Sequence, residues 1–328
     1  MESDPTFDAR GRRSRAEPVT IRSRLMLEVT SELVGRQQWP EKQVTVHLRQ
    51  QGAPDWAVTL FASDTPDGID AVVRGEANVA IVNPSEPLTL AYRGTGPYTE
   101  PQPVRVITNI PSYDQFAFGV TERTGLTSLA DVREQRYPLR VSLRGQPDHS
   151  VHWMLDLVLK AAGFSLDDIR AWGGEVRYDP GLPNVDGRIG AVARGEIDAI
   201  FDEAVGVWTN RALDLGMRLL AVDEPVRRQL EAMGWRFSAM RQAAYPKLPA
   251  DLEMPDFSGW PVFCRADAPD AFVTAFCDAL EERKDRIPWQ GQGPLPLERM
   301  CQDRPENPLD VPLHPAAERY WRDRGYLH

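Results

Sequence analysis

Arg144-Gly-Gln-Pro-Asp-His-Ser150 puts a guanidinium, an imidazole and a hydroxyl directly ahead of an apolar run, Val151 to Ala162, spaced as a helix. The first turn of a helix carries unsatisfied N–H groups and the positive end of the dipole, so such a junction attracts an anion. Arg144 could clamp a carboxylate through two parallel N–H bonds. His149 and Ser150 would supply further donors. The plainer use of the same residues is capping, with Asp148 or Ser150 accepting from the first turn. His149 and His152 are three apart and could share a helix face. No third ligand and no His-Glu-x-x-His pattern accompanies them, so a metal is not expected.

Two further groups stand where strands end. Asp202-Glu203 follows the apolar run Ala199-Ile-Phe201, and Asn83-Pro-Ser85 follows Val79-Ala-Ile-Val82. The ends of strands in an open α/β sheet are where such folds bind ligands. Asn83 and Ser85 suit a carboxylate or an amide. Asp202 and Glu203 suit an ammonium, a hydroxyl or a metal, with capping of a helix starting near Ala204 as the equal alternative. Tyr113 could form an aromatic wall. No GxSxG, P-loop or GxGxxG is present, and no nucleotide or other cofactor is implied.

These groups are positioned by a repeat. Ile69-Asp-Ala-Val-Val-Arg-Gly-Glu-Ala-Asn-Val-Ala-Ile81 returns 120 residues later as Ile189-Gly-Ala-Val-Ala-Arg-Gly-Glu-Ile-Asp-Ala-Ile-Phe201, identical at six of thirteen positions. In each copy a short helix stops at Arg-Gly, since Gly accepts the left-handed backbone that closes a helix, and a buried strand follows. Two copies a domain-length apart predict two similar α/β lobes. Along the chain, strands are expected at Val19–Ile21, 43–48, 79–82, 104–111, 115–120, 139–143, 175–178, 219–222 and 259–264. Helices are expected at 25–34, 57–61, 69–73, 126–132, 151–162, 165–169, 225–233, 269–283 and 315–324. His47 falls on the polar face of its strand.

The 328 residues carry a net charge of −10 with 42% hydrophobic content, which suits a two-domain globular chain and argues against nucleic acid as a partner. Cys264, Cys277 and Cys301 are odd in number and widely spaced, so no disulfide framework is implied. Residues 1–17 read as a flexible leader. The segment has no apolar core for export and no run long enough to insert in a membrane, so the expected location is cytoplasmic, or periplasmic if an export signal has been removed.

Several of these pieces together resemble the TAXI family of solute-binding receptors from TRAP-type transport systems. The closing Val311-Pro-Leu-His-Pro-Ala-Ala-Glu-Arg-Tyr-Trp-Arg-Asp-Arg-Gly-Tyr326 is the most specific part; Thr127-Ser-Leu-Ala-Asp-Val132 and the two Arg-Gly-Glu units also fit. The resemblance implies a type II periplasmic-binding-protein fold: two doubly wound α/β lobes joined by crossover strands. Lobe one would be 18–112 plus 260–328, and lobe two 113–259. It also implies a small organic anion held in the cleft by Ser23, Asn83, Ser85, Tyr113, Arg144, His149, Ser150, Asp202 and Glu203, with hinge closure, no catalysis, and a membrane transporter as partner if the chain is exported. The sequence departs from the family at Ser23-Arg-Leu-Met-Leu27 and Gly145-Gln-Pro-Asp-His-Ser150, where Gly-rich turns are usual. The alternative is an enzyme on the same fold, a decarboxylase or isomerase of a carboxylate, in which His149 with Asp202 or Glu203 moves protons.

Overall fold

The computed structural model describes residues 25–29, 32, 44–49, 57–62 and 65–328. The expected leader, the expected strand at Val19–Ile21 and Ser23 lie outside the described residues. The chain divides into two compact units, Met1–Lys42 and Gln43–His328. Residues 25–29 and 32 of the first are helical.

In the second unit, strands alternate with helices. Among the described residues twelve strands run in order: β1 (Val44–Arg49), β2 (Ala57–Ala62), β3 (Val79–Ile81), β4 (Val104–Ile110), β5 (Ala117–Thr121), β6 (Arg140–Arg144), β7 (Glu175–Asp179), β8 (Ala199–Asp202), β9 (Met217–Leu219), β10 (Phe237–Met240), β11 (Leu252–Pro255) and β12 (Trp260–Arg265). They form one five-stranded sheet, β1-β2-β3-β12-β4, a second, β7-β6-β8-β5-β9, and a β10-β11 hairpin. The segment at Ala57–Ala62 is a strand and not the helix its sequence suggested. Ala57-Val-Thr-Leu-Phe-Ala is rich in β-formers, and pairing with both neighbours outweighs an ambiguous short apolar run.

The two sheets are built alike. In sheet one β2 and β3 are parallel and β3 is antiparallel to β12; in sheet two β6 and β8 are parallel and β8 is antiparallel to β5. The antiparallel neighbours named here, β12 and β5, are the strands that have crossed over. The chain leaves sheet one after β4 to lay down β5, and leaves the hairpin after β11 to lay down β12 between β3 and β4. The two crossing segments pair: Phe116 N–H donates to Pro255 O at 2.9 Å, Phe257 N–H to Asp114 O at 2.9 Å, and Gly259 N–H to Ser112 O at 2.9 Å. This is the α/β, crossover-strand architecture expected from the sequence.

The repeat keeps its local chemistry. Gly75 and Gly195 have φ of 76° and 74°. The preceding arginines pair with the following glutamates, Arg74 Nε to Glu76 at 2.9 Å and Arg194 Nε to Glu196 at 2.6 Å. The next polar residue of each copy accepts from the neighbouring parallel strand: Asn78 from Thr59 N–H at 2.7 Å, Asp198 from Arg140 N–H at 3.4 Å. Gly75 and Gly195 serve different sheets.

Sheet one is covered on both faces, because successive side chains of a strand point opposite ways. Ala80, Val106 and Phe263 enter a core with α1 (Asp67–Val73) and α2 (Glu86–Arg93). Their neighbours Val79, Ile107 and Val262 enter a second core completed by residues of the terminal helices Asp270–Arg283 and Pro315–Asp323. In the family-like terminal segment, the indole of Trp321 donates to Ile107 O at 2.8 Å. A single larger core surrounds sheet two, with Phe116, Phe118 and Phe201 stacked edge to face. Among its helices are α3 (Leu129–Glu134), α4 (Ser150–Ala162), α5 (Leu166–Ala171), α6 (Val205–Asp214) and α7 (Glu224–Met233). Ser128 and Ser165 head α3 and α5 in reciprocal capping boxes with Asp131 and Asp168.

Gly259 ends the second crossing segment at φ 76°, and a Cβ there would lie 2.5 Å from Ser85 Oγ and 2.8 Å from Asn109 Nδ2. At Gly75 the same φ faces open space. Gly75→Ala should therefore cost about 1–2 kcal/mol from left-handed backbone alone. Gly259→Ala should cost more, about 2–4 kcal/mol, because a clash adds to it. Urea unfolding of the two variants side by side checks the difference.

Candidate functional site

The C-terminal end of β6 carries Arg144 and that of β8 carries Asp202 and Glu203, so parallel neighbours deliver cation and anions to one level. They meet each other. Arg144 Nη2 donates to Asp202 Oδ1 at 2.8 Å and to Glu203 Oε1, and its Nε reaches Asp202 Oδ2 at 3.3 Å. Asp202 is completely buried and also accepts from Nη1 of Arg188 at 2.5 Å. Arg188 is itself fully buried. Its remaining bonds go to Ser142 Oγ (3.0 Å), Ser142 O (3.3 Å) and Gly181 O (3.1 Å). Ser142 in turn donates to Asp179 Oδ2 at 2.7 Å. Burial raises the Asp202 carboxyl, but Arg144 and Arg188 outweigh that, and its pKa falls below the usual carboxylate value. The two carboxylates proposed from sequence as free groups are engaged by arginines. Arg188, which sequence reasoning did not single out, is the second of them.

Asp114 was also missed. It belongs to the first crossing segment and caps α6 from outside: its carboxylate accepts from Ala204 N–H at 2.7 Å and Val205 N–H at 3.0 Å. That is the cap for which Asp202 and Glu203 were sequence candidates. Asp114 and Glu203 also hydrogen-bond to each other. Burial lifts Asp114 to about 6, against the pull of Glu203 and three backbone N–H groups. Burial likewise raises Glu203 well above its usual range; Asp114 and Asp202 add to this and Arg144 opposes it. Two buried carboxyls this close share a proton, with Glu203 holding it. Trp208 is core, and its indole donates to Glu203 O at 2.9 Å.

The 144–150 turn is capped differently from expectation. Asp148 is exposed, and the imidazole of His149 caps α4, with Nδ1 accepting from Val151 N–H at 3.1 Å. That assignment leaves the proton on Nε2. Burial, then the charge of Arg144, depresses His149 to about 3, so the ring is neutral at physiological pH. His152 turns aside, its Nε2 2.9 Å from Gln146 O. Ser150 does something else again: its hydroxyl donates to Asn83 O at the end of β3, joining the two sheets at this point. Ser85 is buried and accepts from Asn109 Nδ2 at 3.2 Å. The Oδ1 atoms of Asn83 and Asn109 and Oε2 of Glu86 are buried without a partner among the described residues.

Asn83, Ser150, His149, Arg144, Asp202 and Glu203 thus cluster where the two sheets meet, with Ser85 beside Asn109. Tyr113 is elsewhere. Its side chain is 47% exposed, and its hydroxyl donates to Ala239 O of β10 at 2.9 Å. Ser23 is outside the described residues. Among the described residues no group of His, Cys, Asp and Glu is arranged to hold a metal ion, and no helix is long and apolar enough to cross a membrane.

A family model described as NMT1-like family matches residues 65–325. No curated protein matches the chain. Among solved structures, methylphosphonate-bound PhnD1 from Prochlorococcus marinus aligns at 12% identity over 70% of this chain and 71% of its own, with a TM-score of 0.36. A TctC solute-binding protein from Polaromonas aligns at 15% identity over 66% of each chain, TM-score 0.33. The periplasmic sulfonate-binding protein SsuA of Methylobacillus flagellatus aligns at 12% identity, over 66% of this chain and 53% of its own, TM-score 0.31. The chain spans about half the length of that last protein.

Arg188→Met removes one side of a buried ion pair and leaves Asp202 half-compensated. The expected loss is about 3–5 kcal/mol, read from chemical denaturation. The titration of Asp114 gives a second test. The folded chain protonates Asp114 near pH 6, whereas the unfolded chain does so near 3.8. The proton therefore adds stability as pH falls through 6, and the addition is complete below 3.8. Asp114→Asn forgoes it, so the Tm gap between wild type and variant should widen in favour of wild type from about pH 7.5 to pH 5. A gap independent of pH would count against the raised pKa of Asp114.

Proposed function

The chain belongs to the NMT1-like family, and from that premise we propose that it is a solute-binding protein that holds a small organic carboxylate between its two sheets and performs no chemistry on it. On this reading residues 18–112 with 260–328 form one lobe and 113–259 the other. The TAXI-like subtype suggested by the terminal segment 311–326 is part of the same proposal. The observation that carries the reading is the bond from Ser150 of α4 to Asn83 O at the end of β3, beside Arg144. A ligand there touches both halves and favours their closed arrangement.

Arg144 is the anchor. Its bonds to Asp202 and Glu203 use Nε and Nη2, and Nη1 makes no hydrogen bond among the described residues. One carboxylate oxygen fits that edge, with His149 Nε2–H as a second donor and Asn83 and Ser85 facing from the other sheet. The ligand's negative charge also lies at the N-terminal end of α4. If the chain is exported, a membrane transporter is its partner.

The shared proton of Asp114 and Glu203 favours one second reading, an enzyme in which Glu203 donates a proton to a bound carboxylate substrate, a decarboxylase or isomerase. A thermal-shift screen over carboxylic acids, followed by mass spectrometry of the recovered compound, separates the two. A binding protein is stabilised and returns the acid unchanged; at a hundredfold excess over Kd the gain is about 2.7 kcal/mol. Arg144→Gln should weaken the hit at least about tenfold. Turnover of the acid would sink the first reading, and silence across the panel would sink both.

A further inference from the structure

A cavity of about 380 Å³ lies beside the crossing segments. Tyr113 of the first segment and Asp256 of the second border it, with Arg236 from just before β10, Ser238 from β10, Glu253 from β11, and Arg304 from the C-terminal stretch. None of Asn83, Ser85, Arg144, His149, Ser150, Asp202 or Glu203 lines it. Its volume falls in the range of small-molecule sites. Its walls come from the hairpin that follows sheet two and from the chain that packs back toward sheet one. Arg236 ties those two walls together, through Asp303 at 2.8 Å and Asp310 at 2.6 Å.

The charges around it are unequally satisfied. Arg236 has two carboxylate partners, and Arg241, which also lines the cavity, has Asp251 at 2.8 Å. Both oxygens of Asp256 are taken by Ser238 and Ser258: its Oδ1 accepts both hydroxyls, and Oδ2 accepts Ser258 N–H. Arg304 differs. Its Nη2 donates to the neutral Gln302 Oε1 at 2.7 Å, and its Nε is buried with no hydrogen-bond partner. Among the described residues no carboxylate pairs with Arg304, and a carboxylate entering the cavity that Arg304 lines would supply that partner. The exposed ring of Tyr113 supplies an apolar wall for the body of such a molecule.

We propose that this cavity is a second ligand site, separate from the one between the sheets, that takes a small aromatic monocarboxylate through Arg304. Benzoate is the probe. It is titrated by calorimetry into the full chain carrying Arg144→Gln, which disables the first site on the reading given above. One equivalent should still bind. Adding Arg304→Gln should weaken that binding at least about tenfold. Adding Glu253→Gln instead should tighten it, because a like charge facing the anion is removed, and a damaged fold cannot mimic a gain in affinity. Absence of saturable binding in the Arg144→Gln protein overturns the proposal, as does Arg304→Gln binding benzoate unchanged. Wild type answers for the first site: a second equivalent there, lost in Arg144→Gln, belongs to that reading and stands or falls independently.

Discussion

Neither sheet can be completed by its own half of the chain. A strand inside a sheet must satisfy its N–H and C=O groups on both sides, and the strand that fills the fourth place in each sheet is brought from across the molecule. β5 lies between β8 and β9, and β12 lies between β3 and β4. Take either away and a sheet splits, with two rows of backbone groups unpaired. The two crossings must therefore run side by side, and they do, bonded to each other from Ser112 to Gly259. The close approach at Gly259, where a side chain would strike Ser85 and Asn109, follows from the same crowding. So does the position of Asp114, which is carried into sheet two's half by the crossing and meets the exposed first turn of α6 there.

Electrostatics is organised around Asp202, at the end of a strand buried on both sides. A lone carboxylate in that position would neutralise itself. Two arginines keep it charged, and they come from different elements, Arg144 from β6 and Arg188 from the helical turn before the second repeat. Glu203 next to it cannot be charged as well, so it retains a proton shared with Asp114. With Asp114 ionised above its raised pKa, the cluster of Arg144, Arg188, Asp202, Asp114 and protonated Glu203 carries no net charge. The neutral His149 adds none.

The repeat was legible because its signals are local: a helix-closing Gly, a paired Arg and Glu, a short apolar strand, all within thirteen residues. The same holds for the capping boxes at Ser128 and Ser165. Ala57–Ala62 was misread because six residues of mixed propensity take their state from their neighbours in the sheet. The β10-β11 hairpin was missed because an irregular stretch separates its strands. At the site, sequence identified the polar residues at the ends of β3, β6 and β8 but not their partners. Arg144 was legible as a cation at a helix N-terminus; that Asp202 and Glu203 would face it follows only from β6 lying parallel beside β8. Arg188 carried one faint signal, an arginine just before the apolar start of the second copy, where the first copy has Gly68. Asp114 carried none, since its role is to cap a helix ninety residues away.

On the proposed reading, pairing within the site sets how an anionic ligand would be accommodated. Were Glu203 and Asp202 both ionised, a carboxylate arriving at Arg144 would meet two like charges in a medium of low dielectric. Because Glu203 keeps its proton, the incoming charge meets one ionised carboxylate instead of two, Asp202, already held by Arg144 and Arg188, beside a neutral carboxyl, a neutral imidazole and Nη1 of Arg144. The same arrangement would reject a cation, which finds no unpaired carboxylate among these groups. Removing Asp114 would therefore act on ligand choice through Glu203, by releasing the proton's second partner, although Asp114 itself is spent on capping a helix.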